Sequence, residues 1–334
     1  MSRKTYLQAI NEAIKQEMRR DPNVICLGED IAGGQGGSGE PGGVGSVFGQ
    51  MQGVYKEFGP ERVIDTPISE SAIVGAAAGA ALTGLRPIAE LMFVDFVGVC
   101  FDQIYNQAAK FRYMFGGKAK TPMVLRTAAG AGFRGAAQHS QTLHPLFTMV
   151  PGLKVVMPSN PYDAKGLLIS AIRDDDPVIF IEQKILFGME GEVPDEAYRI
   201  PFGEANVARE GDAATIVAFG AMVPRALAVA TEFARQGVSI EVVDPRTTSP
   251  LDEDTILESV EKTGRLVVVD ESPPRCSMAA DIAGLVADKG FGWLKAPIKQ
   301  VTCPHTPVPF APVLEDEYMP NPRRIAEAVK AVLA

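Results

Sequence analysis

The sequence predicts an α/β protein of two doubly wound domains, each with a mostly parallel sheet. Three observations predict it. Short β-branched runs alternate with helical stripes twice along the chain, a pattern that gives parallel sheets covered on both faces. A segment rich in Glu, Pro and Gly at 188–203 interrupts the alternation. The length of 334 residues suits two domains of ordinary size. The expected division is a first domain at 1–187, a linker at 188–203 and a second domain at 204–334.

Taken in order, Tyr6, Ile10, Ile14 and Met18 form a helical stripe that Asp21-Pro22 ends. Val24-Ile25-Cys26-Leu27 reads as a short buried strand. The glycine-rich segment 33–49 contains Gly37-x-Gly39-x-x-Gly42, a dinucleotide fingerprint in letters only. Such a fingerprint joins a strand directly to an apolar helix. Here it lies inside a polar loop, so a mobile surface loop is expected.

Arg62-Val63-Ile64 reads as a strand end, and Pro67 keeps any helix from reaching back across it. Ser69 or Ser71 can cap the helix over 72–82. That helix carries almost no side-chain bulk, and Gly75 and Gly79 lie one turn apart, leaving room for another backbone. A single carboxylate, Glu70, sits at its mouth. Glu70 either favours the helix dipole from the first turn or handles a proton near neutrality because apolar walls raise its pKa.

A buried strand follows at 86–93, with Asp95 and Phe96 just past its end, then a helix over 97–111 with Asp102-Gln103 early in it. Another strand covers 123–126, and a loop rich in glycine and alanine runs from 127 to 141. Strands at 155–157 and 178–182 flank a helix over 162–173. The second alternation places strands at 215–219, 239–243, 265–270 and 298–302. Its helices fall at 224–235, 254–263, 277–289 and 322–333, and the proline-rich span 304–312 wraps an edge.

Composition is that of a globular protein, 46% hydrophobic and 22% charged. The net charge of −9 argues against nucleic acid and against an anionic membrane surface as partners. The uncharged run at 72–82 is far short of the ~20 residues needed to span a bilayer. The N-terminus lacks the apolar core of a signal peptide, and its acidic residues argue against a transit peptide. Cys26, Cys100, Cys276 and Cys303 are far apart, as expected of free thiols in a reducing compartment. The expected location is the cytoplasm.

Three histidines are available: His139, His144 and His305. His139 stands among small residues in Gln138-His139-Ser140-Gln141, in a loop where α/β domains place their ligands. It reads either as a general acid or base or as a hydrogen-bonded structural histidine. His144 has a weaker case, and His305 reads as structural. The run Asp174-Asp175-Asp176 could help hold a cation but equally suits a solvated turn. Neither H-E-x-x-H, a Walker A run nor a G-x-S-x-G elbow occurs. These residues by themselves suggest a pocket of Glu70, Phe96 and His139 without naming its reaction.

The runs Asp65-Thr66-Pro67-Ile68-Ser69-Glu70, Phe101-Asp102-Gln103-Ile104, Ala137-Gln138-His139-Ser140-Gln141 and Pro151-Gly152-Leu153-Lys154-Val155-Val156 carry a resemblance. With the stretch 108–117, they make the chain resemble the beta subunits of thiamine-diphosphate-dependent 2-oxo acid dehydrogenases, in the right order along the full length. Ser69-Glu70-Ser71-Ala72, Glu90-Leu91-Met92-Phe93-Val94-Asp95-Phe96 and Glu190-Gly191-Glu192-Val193-Pro194 are most similar to the acetoin-cleaving members. The segment 42–51 matches them less well, which keeps pyruvate or another 2-oxo acid as the alternative substrate.

The resemblance implies a pyrimidine-binding domain followed by a transketolase C-terminal-like domain that mainly builds the assembly interface. It implies an alpha partner in an alpha2beta2 heterotetramer, with the cofactor diphosphate and magnesium on the alpha chain. A lipoyl acyltransferase would receive the two-carbon unit cleaved from a small-molecule substrate. Glu70 matches the glutamate that hydrogen-bonds the pyrimidine N1′. Phe96, Met92 and Ile68 match walls around that ring, and His139 matches the active-site histidine. Met123, Ala171, Ile172, Asp174 and Asp176 match a structural potassium site, at which Asp176 replaces the usual asparagine. A non-catalytic scaffold and a self-sufficient transketolase-like enzyme are the other readings. The pairing of Glu70 with His139 argues against the first, and the absence of a Gly-Asp-Gly diphosphate motif argues against the second.

Overall fold

A computed structural model describes residues 1–33 and 45–334, so Gly37, Gly39 and Gly42 and most of the expected 33–49 loop lie outside the described residues. Backbone contacts divide the chain into two compact units. The first comprises Met1–Ala129, Leu146–Glu182 and Leu186–Phe202, and the second Gly130–Pro145, Gln183–Ile185 and Gly203–Ala334. The segment 130–145, read from sequence as part of the first domain, thus groups with the second.

The first unit opens with β1 (Ser2–Thr5), α1 (Tyr6–Arg20), β2 (Val24–Glu29), α2 (Val54–Phe58), β3 (Val63–Thr66), α3 (Glu70–Leu82) and β4 (Arg86–Phe93). It continues through α4 (Val97–Asp102), α5 (Phe111–Met114), β5 (Val124–Ala129), α6 (His144–Thr148), β6 (Lys154–Val156), α7 (Pro161–Arg173), β7 (Val178–Gln183) and β8 (Glu190–Val193). Strands of this unit lie in the order β6-β7-β5-β4-β2-β3. The pairs β2–β3, β2–β4, β4–β5 and β6–β7 are parallel. The inner strands β2, β4, β5 and β7 are buried on both faces, which is why they read as mostly apolar runs, while the edge strand β3 is largely exposed.

Helix α1 begins in a capping box. The Thr5 hydroxyl accepts from the Gln8 amide at 3.2 Å, and the Gln8 side chain accepts from the Thr5 amide at 2.8 Å. Its expected stripe of Tyr6, Ile10, Ile14 and Met18 is buried. Two expectations change. The helix over 97–111 breaks into α4, a π-helical turn at Gln103–Ala108 and the short α5, which puts Asp102-Gln103 at its middle. The segment 188–203 is more than a linker: β8 pairs antiparallel with β1, Ser2 opposite Val193. A strand whose partner is at the other end of the chain leaves little local signal.

The second unit contains β9 (Asn206–Arg209), β10 (Ala214–Ala218), α8 (Met222–Arg235), β11 (Ile240–Asp244), β12 (Thr247–Ser249), α9 (Glu253–Thr263), β13 (Leu266–Asp270), α10 (Met278–Lys289), β14 (Lys299–Thr302), α11 (Pro312–Tyr318) and α12 (Pro322–Leu333). Its sheet runs β14-β13-β10-β11-β9. The pairs of β10 with β11 and β13, and of β13 with β14, are parallel, and β9 is an antiparallel edge. The expected strands and helices reappear here within a residue or two. Among the described residues, no helix is long and apolar enough to cross a membrane.

Candidate active site

In the first unit the chain steps from β2 to β3, then returns past β2 to β4 and continues on that side. Doubly wound sheets bind ligands at such a reversal, in the crevice outside the carboxyl ends of their strands. Glu29 and Asp30 stand at the end of β2, Asp65 near the end of β3 with Glu70 heading α3, and Phe96 just beyond β4. Topology thus selects the carboxyl ends of β2 and β4, with Glu29 and Phe96, and Glu70 heads the helix that follows the neighbouring strand β3.

Ser69 occupies the position before α3, but its hydroxyl donates back to the Pro67 carbonyl at 3.0 Å and caps no amide. The Ser71 hydroxyl instead ties α3 to α4 through the Val99 carbonyl, 2.6 Å away. Helix α3 buries Ile73, Val74, Ala77, Ala78 and Ala81. A β-carbon added at Gly75 would meet the Gln103 side chain at 3.0 Å, whereas one at Gly79 would meet nothing within 4 Å. At Gly75 the neighbour is thus the Gln103 side chain and not the backbone expected there, and at Gly79 nothing approaches. The opposite face of α3, with Ser71, Ala72, Ala76 and Gly79, is exposed.

Ile68 is 74% exposed beside Glu70. Met92 and Phe96 are half-buried, and Phe96 meets Phe93 edge to face at 5.7 Å. A half-buried carboxyl, with apolar side chains open to solvent at the same ends of the strands, fits a flat heteroaromatic ring with a basic nitrogen. Glu70 is not the single carboxylate that the sequence suggested. Parallel pairing of β2 and β3 sets Gly28 opposite Asp65 and Glu29 opposite Thr66. Burial, then the charges of Asp30, Glu70 and Asp65, push the Glu29 carboxyl above its ordinary range. Burial and Glu70 together raise the Cys100 thiol to about 12.

Behind this edge lies a buried ionic cluster that the sequence reading missed. Arg126 on β5 faces Glu90 on β4 in register. It donates to Glu182 at 2.7 Å and to Glu90 at 3.2 Å. Burial alone would lower the pKa of Arg126, but Glu182 and Glu90 hold it above its ordinary value. Burial raises Glu90, with Arg126 and the Ser46 hydroxyl opposing. The available signal was three charged residues inside buried strands, because a buried charge requires a partner.

The residues named for potassium come together in this unit, but their oxygens already have donors. Arg86 donates to the main-chain oxygens of Ile172 at 3.1 Å and Asp174 at 2.8 Å, and to the Asp175 carboxylate at 2.6 Å. Lys154 reaches both Asp174 carboxylate oxygens at 2.7 Å, and Arg112 pairs with Asp176. The Met123 oxygen accepts from Val178 and that of Ala171 from Asp174. Lys120 adds a fourth cation, 2.7 Å from Asp175, so three carboxylates meet four side-chain cations. Arg86 and Lys154 thus engage oxygens of Ile172 and Asp174, while the Met123 and Ala171 oxygens, each accepting one amide, keep a second lone pair. Among the described residues, no His, Cys, Asp and Glu group is arranged to hold a metal.

His139 belongs to the second unit, so the expected trio of Glu70, Phe96 and His139 is divided between the units. Its loop turns through positive φ at Gly130, Gly132, Arg134 and Ala136. Two carboxylates hold the loop amides. Ala131 donates to Glu271 at 2.6 Å, and Gly132 and Arg134 donate to one Glu315 oxygen at 2.8 and 3.3 Å. The Arg134 guanidinium reaches the other Glu315 oxygen at 2.6 Å, and the Lys184 ammonium donates to the His139 main-chain oxygen.

His144 is fully buried with Nε2 3.2 Å from Asp270. Burial opposes ionisation of Asp270, yet His144 and Ser272 hold its carboxyl below the usual range. His305, read as structural, is exposed and lines a cavity of about 450 Å³ with Ala137, Gln141, Thr142, Thr306 and Tyr318.

Two domain families match the chain: the transketolase pyrimidine-binding domain over residues 2–189 and the transketolase C-terminal domain over residues 203–325. The chain is 64% identical over 334 residues to the acetoin:2,6-dichlorophenolindophenol oxidoreductase subunit beta of Cupriavidus necator, covering 100% of this chain and 98% of that protein. It is 46% identical over 328 residues to the pyruvate dehydrogenase E1 component subunit beta of Rickettsia felis, covering 98% of each. A solved chain described as split-gene transketolase, inactive beta4 tetramer, superposes with a TM-score of 0.78 at 22% identity, covering 98% of this chain and 97% of that one. That last likeness concerns the fold.

Proposed function

This chain belongs to the transketolase family, joining its pyrimidine-binding and C-terminal domains, and from that premise we propose that it is the beta subunit of a thiamine-diphosphate-dependent acetoin dehydrogenase. Its identity of 64% to an acetoin oxidoreductase beta subunit, against 46% to a pyruvate dehydrogenase one, favours acetoin over pyruvate. The observation that carries the reading is Glu70. It heads α3, after the strand beside the strand-order reversal, with Ile68 just before it and Met92 and Phe96 at the end of β4.

When bound, thiamine diphosphate supplies the electron sink for cleaving the carbon–carbon bond of acetoin. Glu70 would hydrogen-bond the pyrimidine N1′ and hold a proton there. Ile68, Met92 and Phe96 pack on that ring and keep water from it. A dry setting strengthens the bond made by the carboxyl. His139 carries protons on the substrate side or steadies the two-carbon unit during its transfer to a lipoyl group.

The diphosphate and its magnesium fall to an alpha subunit, in line with the lack of a Gly-Asp-Gly run in this sequence. Exposed Ile68, Ala72, Ala76 and Gly79 suit a site completed by that second chain. The assembly is an alpha2beta2 heterotetramer in the cytoplasm, delivering to a lipoyl acyltransferase. A structural potassium held by Met123, Ala171, Ile172, Asp174 and Asp176 would compete with Arg86, Arg112 and Lys154 for those oxygens.

Calorimetry with thiamine diphosphate and magnesium tests the half-site, using this chain alone and then mixed with a candidate alpha chain. Binding in the mixture only is the expected result. Tight binding to the lone chain would overturn the division of the cofactor between two subunits.

A further inference from the structure

In the second unit the chain passes from β10 to β11 and then to β13 on the other side of β10. The reversal lies between β10 and β13, where a doubly wound sheet would bind a ligand. The carboxyl end of β13 supplies Asp270, Glu271 and Ser272, and the turn after β10 supplies Ala221. The groups that converge on them are the protein's own. Gln183 accepts from the Ala221 amide and donates to Glu271 at 2.5 Å. Ala131 donates to Glu271, and His144 lies against Asp270. The crevice therefore holds the segment 130–145, and Glu315 of α11 takes the next amides of that segment, at Gly132 and Arg134.

We propose that the ligand crevice of the C-terminal domain serves as the cradle of the His139 loop, with Glu315 and Lys184 as positioning residues for that histidine. The inference rests on the reading that His139 acts on the substrate. Glu315 is fully buried, so its carboxylate has no water to fall back on, and it gathers two amides and a guanidinium around one turn. Arg134 and Ala136 take positive φ in that turn, a conformation that side chains other than glycine adopt only when the surroundings impose it. Glu271 fixes the loop start at Ala131, Glu315 its middle, and Lys184 the main chain of His139 itself. A domain expected mainly to build the assembly interface thereby also sets an active-site side chain.

The test uses the assembled enzyme with Glu315→Gln and, separately, Lys184→Met, each in the parent and in a His139→Ala background. A misplacement of about 1 Å can cost about 100-fold in rate. Each variant is expected to lower kcat by roughly 10- to 100-fold, with KM for acetoin and thiamine diphosphate affinity unchanged. Neither is expected to lower kcat further once His139 is alanine. Amides of Gly132 and Arg134 should exchange faster with solvent in Glu315→Gln. Parent-like kcat in both variants, or an equal loss in both backgrounds, would overturn the positioning role. Parent-like kcat in His139→Ala alone would overturn the role of His139 itself, a result read without either positioning variant. If Glu315→Gln fails to assemble, Lys184→Met still decides, because it removes the donor to the His139 main chain while Glu271 and Glu315 keep their own bonds to the loop amides.

Discussion

Glu70 and Glu90 are both carboxyls near the sheet edge of the first unit, but their surroundings assign them different tests. Glu70 is half-buried among exposed apolar groups. Glu70→Gln keeps its shape and removes its ability to hold a proton. Turnover should fall to background while size-exclusion chromatography with the alpha chain still returns the complex, and near-normal turnover would refute the assigned role. Glu90 is buried against Arg126, and folding raises its pKa. Its contribution to stability is therefore complete below the ordinary carboxylate range and is lost as pH rises through the raised value. Glu90→Gln removes that loss. Measured by denaturant unfolding at pH 5 and pH 8, the variant should gain on the parent by roughly 1.4 kcal/mol for each pH unit crossed below the raised value. A constant difference at both pH values would contradict this. The sequence singled out Glu70, Met92, Phe96 and His139 because they stand in runs that resemble relatives. It did not show that Glu29 and Asp65 crowd Glu70, because that proximity comes from strand register.

At the scale of elements, helices were the more legible. The stripe of α1 and the start of α12 at Pro322 follow from local periodicity and capping, with Asn321 accepting from the Arg324 amide at 3.0 Å. Strands β1, β8 and β9 were not legible, being short, polar and paired with distant partners. Helix α3 carries a prediction that follows from its two unlike glycines. Gly79 faces open space, so Gly79→Ala should raise the stability of the isolated chain by about 0.8–1 kcal/mol through helix propensity. Gly79→Leu should leave the chain folded but weaken its association with the alpha chain, because a bulky side chain on the exposed face blocks a close approach. Unchanged association of the leucine variant, followed by analytical ultracentrifugation, would remove α3 from the interface. The turn after α7 carries another. With Arg86, Arg112, Lys120 and Lys154 meeting its three aspartates, exchanging potassium for sodium or choline at constant ionic strength should leave the melting temperature unchanged. A saturable rise with potassium would show that the ion displaces Arg86. Arg86→Met should melt lower than the parent in every salt, since it strips donors from Ile172, Asp174 and Asp175 at once.

Across the whole molecule, the choice of substrate is the step that residues and elements do not decide. Glu70, His139 and the sheet reversal would serve any member of this family, since the cofactor's chemistry is common to them. Discrimination between acetoin and pyruvate is a difference in transition-state binding. The two differ chiefly by a carboxylate, and an enzyme acting on pyruvate needs a cation or several amide donors to meet that charge. At the carboxyl ends of β2, β3 and β4 the first unit presents apolar Ile68, Met92 and Phe96 together with the carboxylates Glu29, Asp30 and Asp65. A second anion is poorly served there, because like charges in a partly dry site repel. The reconstituted pair should therefore turn acetoin over faster than pyruvate, with the difference expressed in kcat/KM. Ionic strength provides the second half of the measurement. An acidic surface raises the encounter barrier for an anion and not for a neutral molecule, so added salt should narrow the gap by helping pyruvate alone. Faster turnover of pyruvate at low salt would assign the chain to a pyruvate dehydrogenase, and would place the carboxylate-binding donors on the alpha chain.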